Sequence, residues 1–219
     1  MAMITAIILP CATITFNKVV ALDFSYASAG TLPMPFWFML GDIITEVYGY
    51  RVSRQIVWNA LLCNLLFAVA IFILIRLPSP KAWTGESAYL FVLGDTIRLA
   101  ISGLVALIIG VFINNYLISK WKVLVRGKYF WLRSIGSSTI GEAAYTLLAF
   151  FLIFLLGGHL NLHTMLIFVI WSYCFKFIGA ILLAGPANLI ANYLKKKEGI
   201  DIYDTNVNFN PFKVSTQEL

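Results

Sequence analysis

Gly41-Asp42-Ile43-Ile44-Thr45-Glu46-Val47-Tyr48-Gly49-Tyr50 sets two acids between an apolar run that ends at Leu40 and another that runs from Ile56 to Leu77. On a helix, Asp42 and Glu46 stand four residues apart and share one face, with Thr45 beside them. An acid in hydrocarbon costs about 3 kcal/mol on insertion scales, so each needs a partner, a proton or a ligand. The remainder of the chain must supply whatever stands opposite them.

Composition defines the surroundings. Of the 219 residues, 60% are hydrophobic and 12% charged, whereas soluble domains carry roughly 25% charged residues. This is the signature of an integral membrane protein. The formal net charge is +6. The basic residues sit in the connections, where they read as a topology signal. No interleaved basic and aromatic stripe points to nucleic acid. Cys11, Cys63 and Cys174 fall on three different apolar segments without a CxxC pair, so they read as packing residues and not as disulfides or metal ligands. Met1 to Val20 lacks a basic start and reads as a first membrane helix, not as a cleaved signal.

The pattern predicts an all-α bundle of six transmembrane helices. Helix 1 covers Ala2 to Val20. A Ser, Gly and Pro-rich connection, Ala21 to Pro35, reads as a loop or re-entrant piece. Helix 2 runs from Pro35 to Tyr48, Gly49-Tyr50-Arg51 makes a tight turn, and helix 3 runs from Ser53 to Leu77, where Pro78-Ser79-Pro80 stops it. Glu86 to Leu93 reads as a short interfacial helix. Helix 4 spans Asp95 to Lys120, with Asp95 as N-cap or first-turn acid. Helix 5 spans Phe130 to Leu156 and ends at Gly157-Gly158. Helix 6 spans Leu162 to Lys195, with a kink expected at Gly185-Pro186. Residues 1–197 form the membrane domain and 198–219 a polar tail without periodicity.

Eleven lysines and arginines fall on the side of the two termini and three on the other, Lys18, Arg76 and Lys81. The bias predicts cytoplasmic termini. Helices 2 and 5 also echo one another. Leu40-Gly41-Asp42-Ile43-Ile44-Thr45-Glu46 is matched, one residue out of step, by Ile135-Gly136-Ser137-Ser138-Thr139-Ile140-Gly141-Glu142. A 3+3 inverted repeat would place such segments in corresponding positions.

Five charged residues lie in or at the ends of the apolar helices: Asp42, Glu46, Arg98, Glu142 and Lys176. Asn114, Asn115 and Asn188 add neutral polar groups. They read either as interhelical bridges that fix helix order or as the lining of a polar ligand cavity. Apolar packing would build a bundle at lower cost, which favours the cavity. The run Gly136 to Gly141 reads as a close helix contact, as part of that cavity, or as both. It permits a homodimer without requiring one. Trp131 and Tyr173 are aromatic candidates for stacking. His159 and His163, four apart, lack further metal ligands nearby. No HExxH, GxSxG, phosphate loop or paired CxxC occurs, so neither an enzyme nor a cofactor is expected.

The combination of Gly41 to Tyr50 with Arg51 and Arg54, Arg98, Lys128-Tyr129-Phe130-Trp131-Leu132-Arg133-Ser134-Ile135-Gly136-Ser137 leading into Glu142, Tyr173-Cys174-Phe175-Lys176, and the tail motifs Asp201-Ile202-Tyr203-Asp204 and Asn208-Phe209-Asn210-Pro211-Phe212 resembles the queuosine precursor transporter family, also called vitamin-uptake-transporter-like. The resemblance covers nearly the whole chain. It implies a multi-pass protein of a bacterial inner membrane that takes up 7-cyano-7-deazaguanine, its 7-aminomethyl analogue, or both. A guanine-like edge with N1–H and a 2-amino group suits a carboxylate, and O6 suits Lys, Arg or Asn. The substrate-binding set is therefore expected among Asp42, Glu46, Arg98, Asn114, Trp131, Glu142, Tyr173 and Lys176. Glu142 is the first choice for the guanine edge. Arg51 or Arg54 are expected to pair with Glu46 if it belongs to an inner gate. Carriage of another flat heterocycle or vitamin, or an intramembrane enzyme, remain as other readings.

Overall fold

The computed structural model describes residues 1–22, 25–155 and 161–213. It is mostly helical. In chain order come α1 (Ala2–Thr15), β1 (Val19–Leu22), β2 (Ser25–Ser28), a 3-10 turn (Ala29–Thr31), α2 (Met34–Leu74), α3 (Glu86–Leu93), α4 (Thr96–Leu124), α5 (Phe130–Leu155) and α6 (Leu162–Glu198). Four stretches are long and apolar enough to cross a membrane: Ala29–Leu74, Glu86–Leu124, Phe130–Ile153 and Leu162–Glu198. α1 is shorter.

α2 is not one straight rod. Gly49 breaks it with φ 81° and ψ 172°. Trp37 and Phe38 line one small cavity with Ile56 and Val57, although twenty residues of straight helix span about 30 Å. The chain therefore doubles back at Gly49, and the expected turn between helices 2 and 3 is present. Only a glycine takes that backbone conformation without strain. Space imposes the same choice, because a Cβ here would meet Ile202 Cγ2 at 2.8 Å and Asp204 Oδ1 at 2.9 Å.

The start of the chain differs from expectation. Helix 1 was expected to reach Val20 but ends at Thr15, and Val19 onward forms an antiparallel hairpin with Val19 opposite Ser28 and Leu22 opposite Ser25. The β-branched pair Val19-Val20 favours extended backbone. Ser28 Oγ donates to Phe16 O at 2.6 Å and holds the hairpin to the end of α1. α3 appears where Glu86 to Leu93 was expected. Asp95 sits at the N-cap of α4 but makes no capping bond. It pairs with Arg98 at 2.9 Å. Pro186 lies inside a continuous α6, which Gly199 closes in the left-handed conformation. The expected end of helix 5 at Gly157-Gly158 lies outside the described residues.

α4 and α5 approach closely at their backbones. A Cβ on Gly110 would lie 2.6 Å from Gly141 O, and one on Gly141 would lie 2.7 Å from Gly110 O. The small-residue face of α5 is thus filled by α4 of the same chain.

The described part of the tail lies across the bundle end that carries Gly49. Asp204 Oδ2 accepts hydrogen bonds from Tyr50 N at 2.9 Å and Ser119 Oγ at 2.6 Å. Tyr50 Oη donates to Phe209 O, Arg54 Nη1 to Asn208 O and Asn210 O, and Trp58 Nε1 to Pro211 O. The Phe209 ring packs on Tyr50 and Tyr116. The tail straps the α2 turn to the far end of α4.

Candidate functional site

α5 supplies a polar ladder. Ser134, Ser138, Glu142 and Thr146 recur every fourth residue, so they fall near one helix face. That face looks into the bundle, and all four are buried. Asp42 on α2 is fully buried and satisfied: it accepts hydrogen bonds from Ser134 Oγ at 2.5 Å, Ser138 Oγ at 3.0 Å and Asn114 Nδ2 at 2.6 Å. The two segments whose sequences echo one another therefore meet at Asp42.

One turn along the ladder the situation reverses. Glu142 is 0% exposed, yet among the described residues neither of its carboxylate oxygens has a hydrogen-bond partner. Buried polar groups are almost always partnered, so an orphan of this kind needs an explanation. Lys176 of α6 lies within Coulomb range of it. Lys176 is itself buried, donates to Thr146 Oγ1 at 2.8 Å, and holds its ammonium 4.4 Å from the centre of the Tyr145 ring.

Lys176, Thr146 and Tyr145 line a cavity of about 60 Å³, smaller than the roughly 300–1,000 Å³ of a ligand-filled site. Its other walls come from α1 (Leu9, Thr13), the α2 start (Met34), Asn64 and the first turns of α4 (Leu99, Leu107). These are the helix ends opposite those that the tail covers. The small cavity thus lies away from the end that the tail straps.

Glu46 belongs to the strapped end. Arg133 grips it with Nη1 at 2.8 Å and Nη2 at 3.0 Å, and Lys195 Nζ reaches Oε1 at 2.6 Å. Lys122 Nζ donates to Glu46 O, Asp201 Oδ1 and Ile202 O. Lys195 also bridges to Asp201 at 2.9 Å. The expected partners Arg51 and Arg54 are not those of the Glu46 carboxylate, and Arg54 is spent on tail carbonyls. Several basic residues first read only as a topology signal are therefore buried framework: Arg133 is 4% and Lys122 2% exposed.

Of the eight sequence candidates, Asp42, Asn114, Glu142 and Lys176 come together through α5. Arg98 does not join them and pairs with Asp95. Trp131 stands 48% exposed. Tyr173 faces an outer groove between α5 and α6 with Ala143 and Ile170, and its hydroxyl reaches Thr139 O at 3.4 Å. Ser134, Thr146, Asn64 and Thr13 were missed. The four-residue spacing through Glu142 would have found the first two. The last two carry no local signal beyond being polar in apolar helices. Among the described residues no cluster of His, Cys, Asp and Glu could hold a metal, and His159 lies outside them.

The model of the family described as putative vitamin uptake transporter matches residues 28–190. Over 183 residues the chain is 27% identical to a probable queuosine precursor transporter of Haemophilus influenzae, covering 81% of this chain and 74% of that one. Over 171 residues it is 25% identical to a queuosine precursor transporter of Escherichia coli, covering 77% and 74% respectively. No solved structure matches.

Proposed function

The chain belongs to the putative vitamin uptake transporter family, and on that premise we propose that it carries queuosine precursors, 7-cyano-7-deazaguanine or its 7-aminomethyl analogue, across a bacterial inner membrane. It is a transporter by family and not an enzyme. We read six crossing segments, namely α1, the two halves of α2, α4, α5 and α6, with both termini and the strap on the cytoplasmic face. The excess of Lys and Arg at that end supports this orientation.

The observation that carries the substrate reading is the orphaned carboxylate of Glu142. A buried acid with two open oxygens suits a partner that offers two parallel N–H donors, as the N1–H and 2-amino edge of a deazaguanine does. Lys176, which shares its surroundings and lines the cavity, supplies a donor for O6. Asp42 has a different part: with three donors already bound it fixes α5 against α2 and α4 and so aims the ladder. Asn114 serves it through Asp42.

Transport then needs the two ends to open in turn. We read the ion pairs of Glu46 with Arg133 and Lys195 as the closed gate of the inner end. Release of that cluster and of the strap is the step that exposes the site to the cytoplasm.

The test is uptake of labelled precursor by cells carrying Glu142→Gln or Lys176→Met at wild-type membrane levels. Losing a charged hydrogen-bond partner in a buried site costs ~2–5 kcal/mol, so affinity should fall by roughly 30-fold or more. Wild-type uptake by both variants would end the assignment. Competition by purines, pterins and vitamins separates deazaguanines from other flat rings.

A further inference from the structure

We propose that Asn64, supported by Thr13, reads the polar group on the five-membered ring of the substrate and so determines which deazaguanines are carried. This rests on the transport reading above and specifies another part of the lining of the same cavity.

Asn64 is an anomaly in its helix. It interrupts the apolar run Leu61-Leu62-Cys63-Asn64-Leu65-Leu66-Phe67, and it is 4% exposed. A buried amide carries two donors and an acceptor with two lone pairs, all of which want partners. Its one hydrogen-bond contact among the described residues is with Thr13 Oγ1, 3.4 Å from Asn64 Oδ1. That is beyond the normal range for O–H···O. The Thr13 hydroxyl has a single hydrogen, and Leu9 O lies nearer to it at 3.0 Å. The amide of Asn64 is therefore largely unspent, and it lines the same cavity as Lys176.

Substrate chemistry gives the direction. With the N1–H and 2-amino edge on Glu142, O6 is the next group around the ring, and it points toward Lys176. The substituent at position 7 lies on the same side as O6 and farther from Glu142. Besides Lys176, Tyr145 and Thr146, the cavity lining holds three polar side chains: Thr13, Thr31 and Asn64. Thr31 Oγ1 has a hydroxyl neighbour of its own, Ser172 Oγ at 3.3 Å, and offers a single donor, whereas Asn64 offers two N–H donors and an acceptor. Its N–H donors suit a nitrile nitrogen, which only accepts. Its Oδ1 suits an aminomethyl group, which donates. One amide answers both groups and offers nothing to a bare C–H, and a site built to bond a polar group rejects the analogue that lacks it.

The competing account is a bridge that merely ties α1 to α2. The experiment measures inhibition of labelled 7-cyano-7-deazaguanine uptake by three unlabelled competitors: the cyano compound, the aminomethyl compound and 7-deazaguanine without a substituent. In the wild type both substituted compounds should compete at least about tenfold better than the unsubstituted one, the value of one hydrogen bond. In Asn64→Leu that ratio should collapse toward one while the unsubstituted compound keeps its own inhibition constant. Asn64→Asp, which keeps size and polarity, should shift the ranking toward the cationic aminomethyl compound. An unchanged ranking in either variant overturns the proposal, since a structural bridge would lower all three affinities or the protein level together. If no deazaguanine competes in the wild type, the transport reading itself fails, a result distinct from an unchanged ranking.

Discussion

Glu46 and Asp42 lie one helical turn apart, and nothing local in the sequence distinguishes their tasks. Their partners do: Asp42 takes neutral donors from α4 and α5, while Glu46 takes a forked guanidinium and an ammonium from residues 87 and 149 positions away. Those partners come from tertiary packing, which no spacing rule reaches, so Arg51 and Arg54 were the natural but mistaken expectation. The orphan state of Glu142 is equally invisible in sequence, although its place on a four-residue polar ladder is not. A contrast between variants follows. Glu46→Ala leaves two cations without their buried counter-charge, which costs about 3–5 kcal/mol. Thermal unfolding in detergent should show a marked drop, with ligand affinity of the folded fraction retained. Glu142→Gln should do the opposite, leaving stability near wild type and removing affinity. Equal effects of the two variants on both measurements would contradict this division of labour.

At the scale of elements, α2 shows what one residue can hold. The turn at Gly49 and α3 were legible, because Gly with flanking polar residues and an acid-led apolar octet are local signals. The hairpin after α1 was not, since Val19 to Ser28 is equally apolar and short-range pattern alone does not separate a frayed helix end from a strand. Gly49→Ala combines a positive φ with a collision against Ile202 and Asp204. We expect a loss of about 1–3 kcal/mol, read as a lower melting temperature, and increased proteolysis of residues 200–213 specifically. Gly103, which has open space around its Cα, is the control: Gly103→Ala should leave both readings unchanged.

The whole molecule is asymmetric along its axis, with a small cavity away from the tail and a charged cluster beneath the strap. The tail was read as polar and aperiodic, with motifs that spoke for the family but not for a contact, because its attachments use backbone carbonyls of Asn208, Phe209, Asn210 and Pro211 that no side-chain pattern reports. Asp204→Ala would orphan the buried Tyr50 amide and cost about 1–3 kcal/mol, so hydrogen exchange at Tyr50 should accelerate. Unchanged exchange there would show that the strap does not depend on Asp204. Acid has a separate entry point at Asp201. Burial pushes its carboxyl up, but hydrogen bonds from Lys122 and Lys195 and their charges outweigh this and hold it below the ordinary value of 3.8. Its contribution is present above that value and is lost as pH falls through the lower folded one. Tail docking should therefore be constant across neutral pH and loosen only below about pH 4, a dependence that tail proteolysis can follow. The strap also has a place in time. Its seat, residues 47–58 and 116–122, leaves the ribosome long before residues 201–211. While α5 and α6 are still being threaded into the bilayer, Arg54, the Tyr50 amide and Ser119 must wait among lipid headgroups and water. The nascent bundle thus passes through a stage in which the end under the strap is uncovered, and ribosome stalling before Asp201 would prolong it.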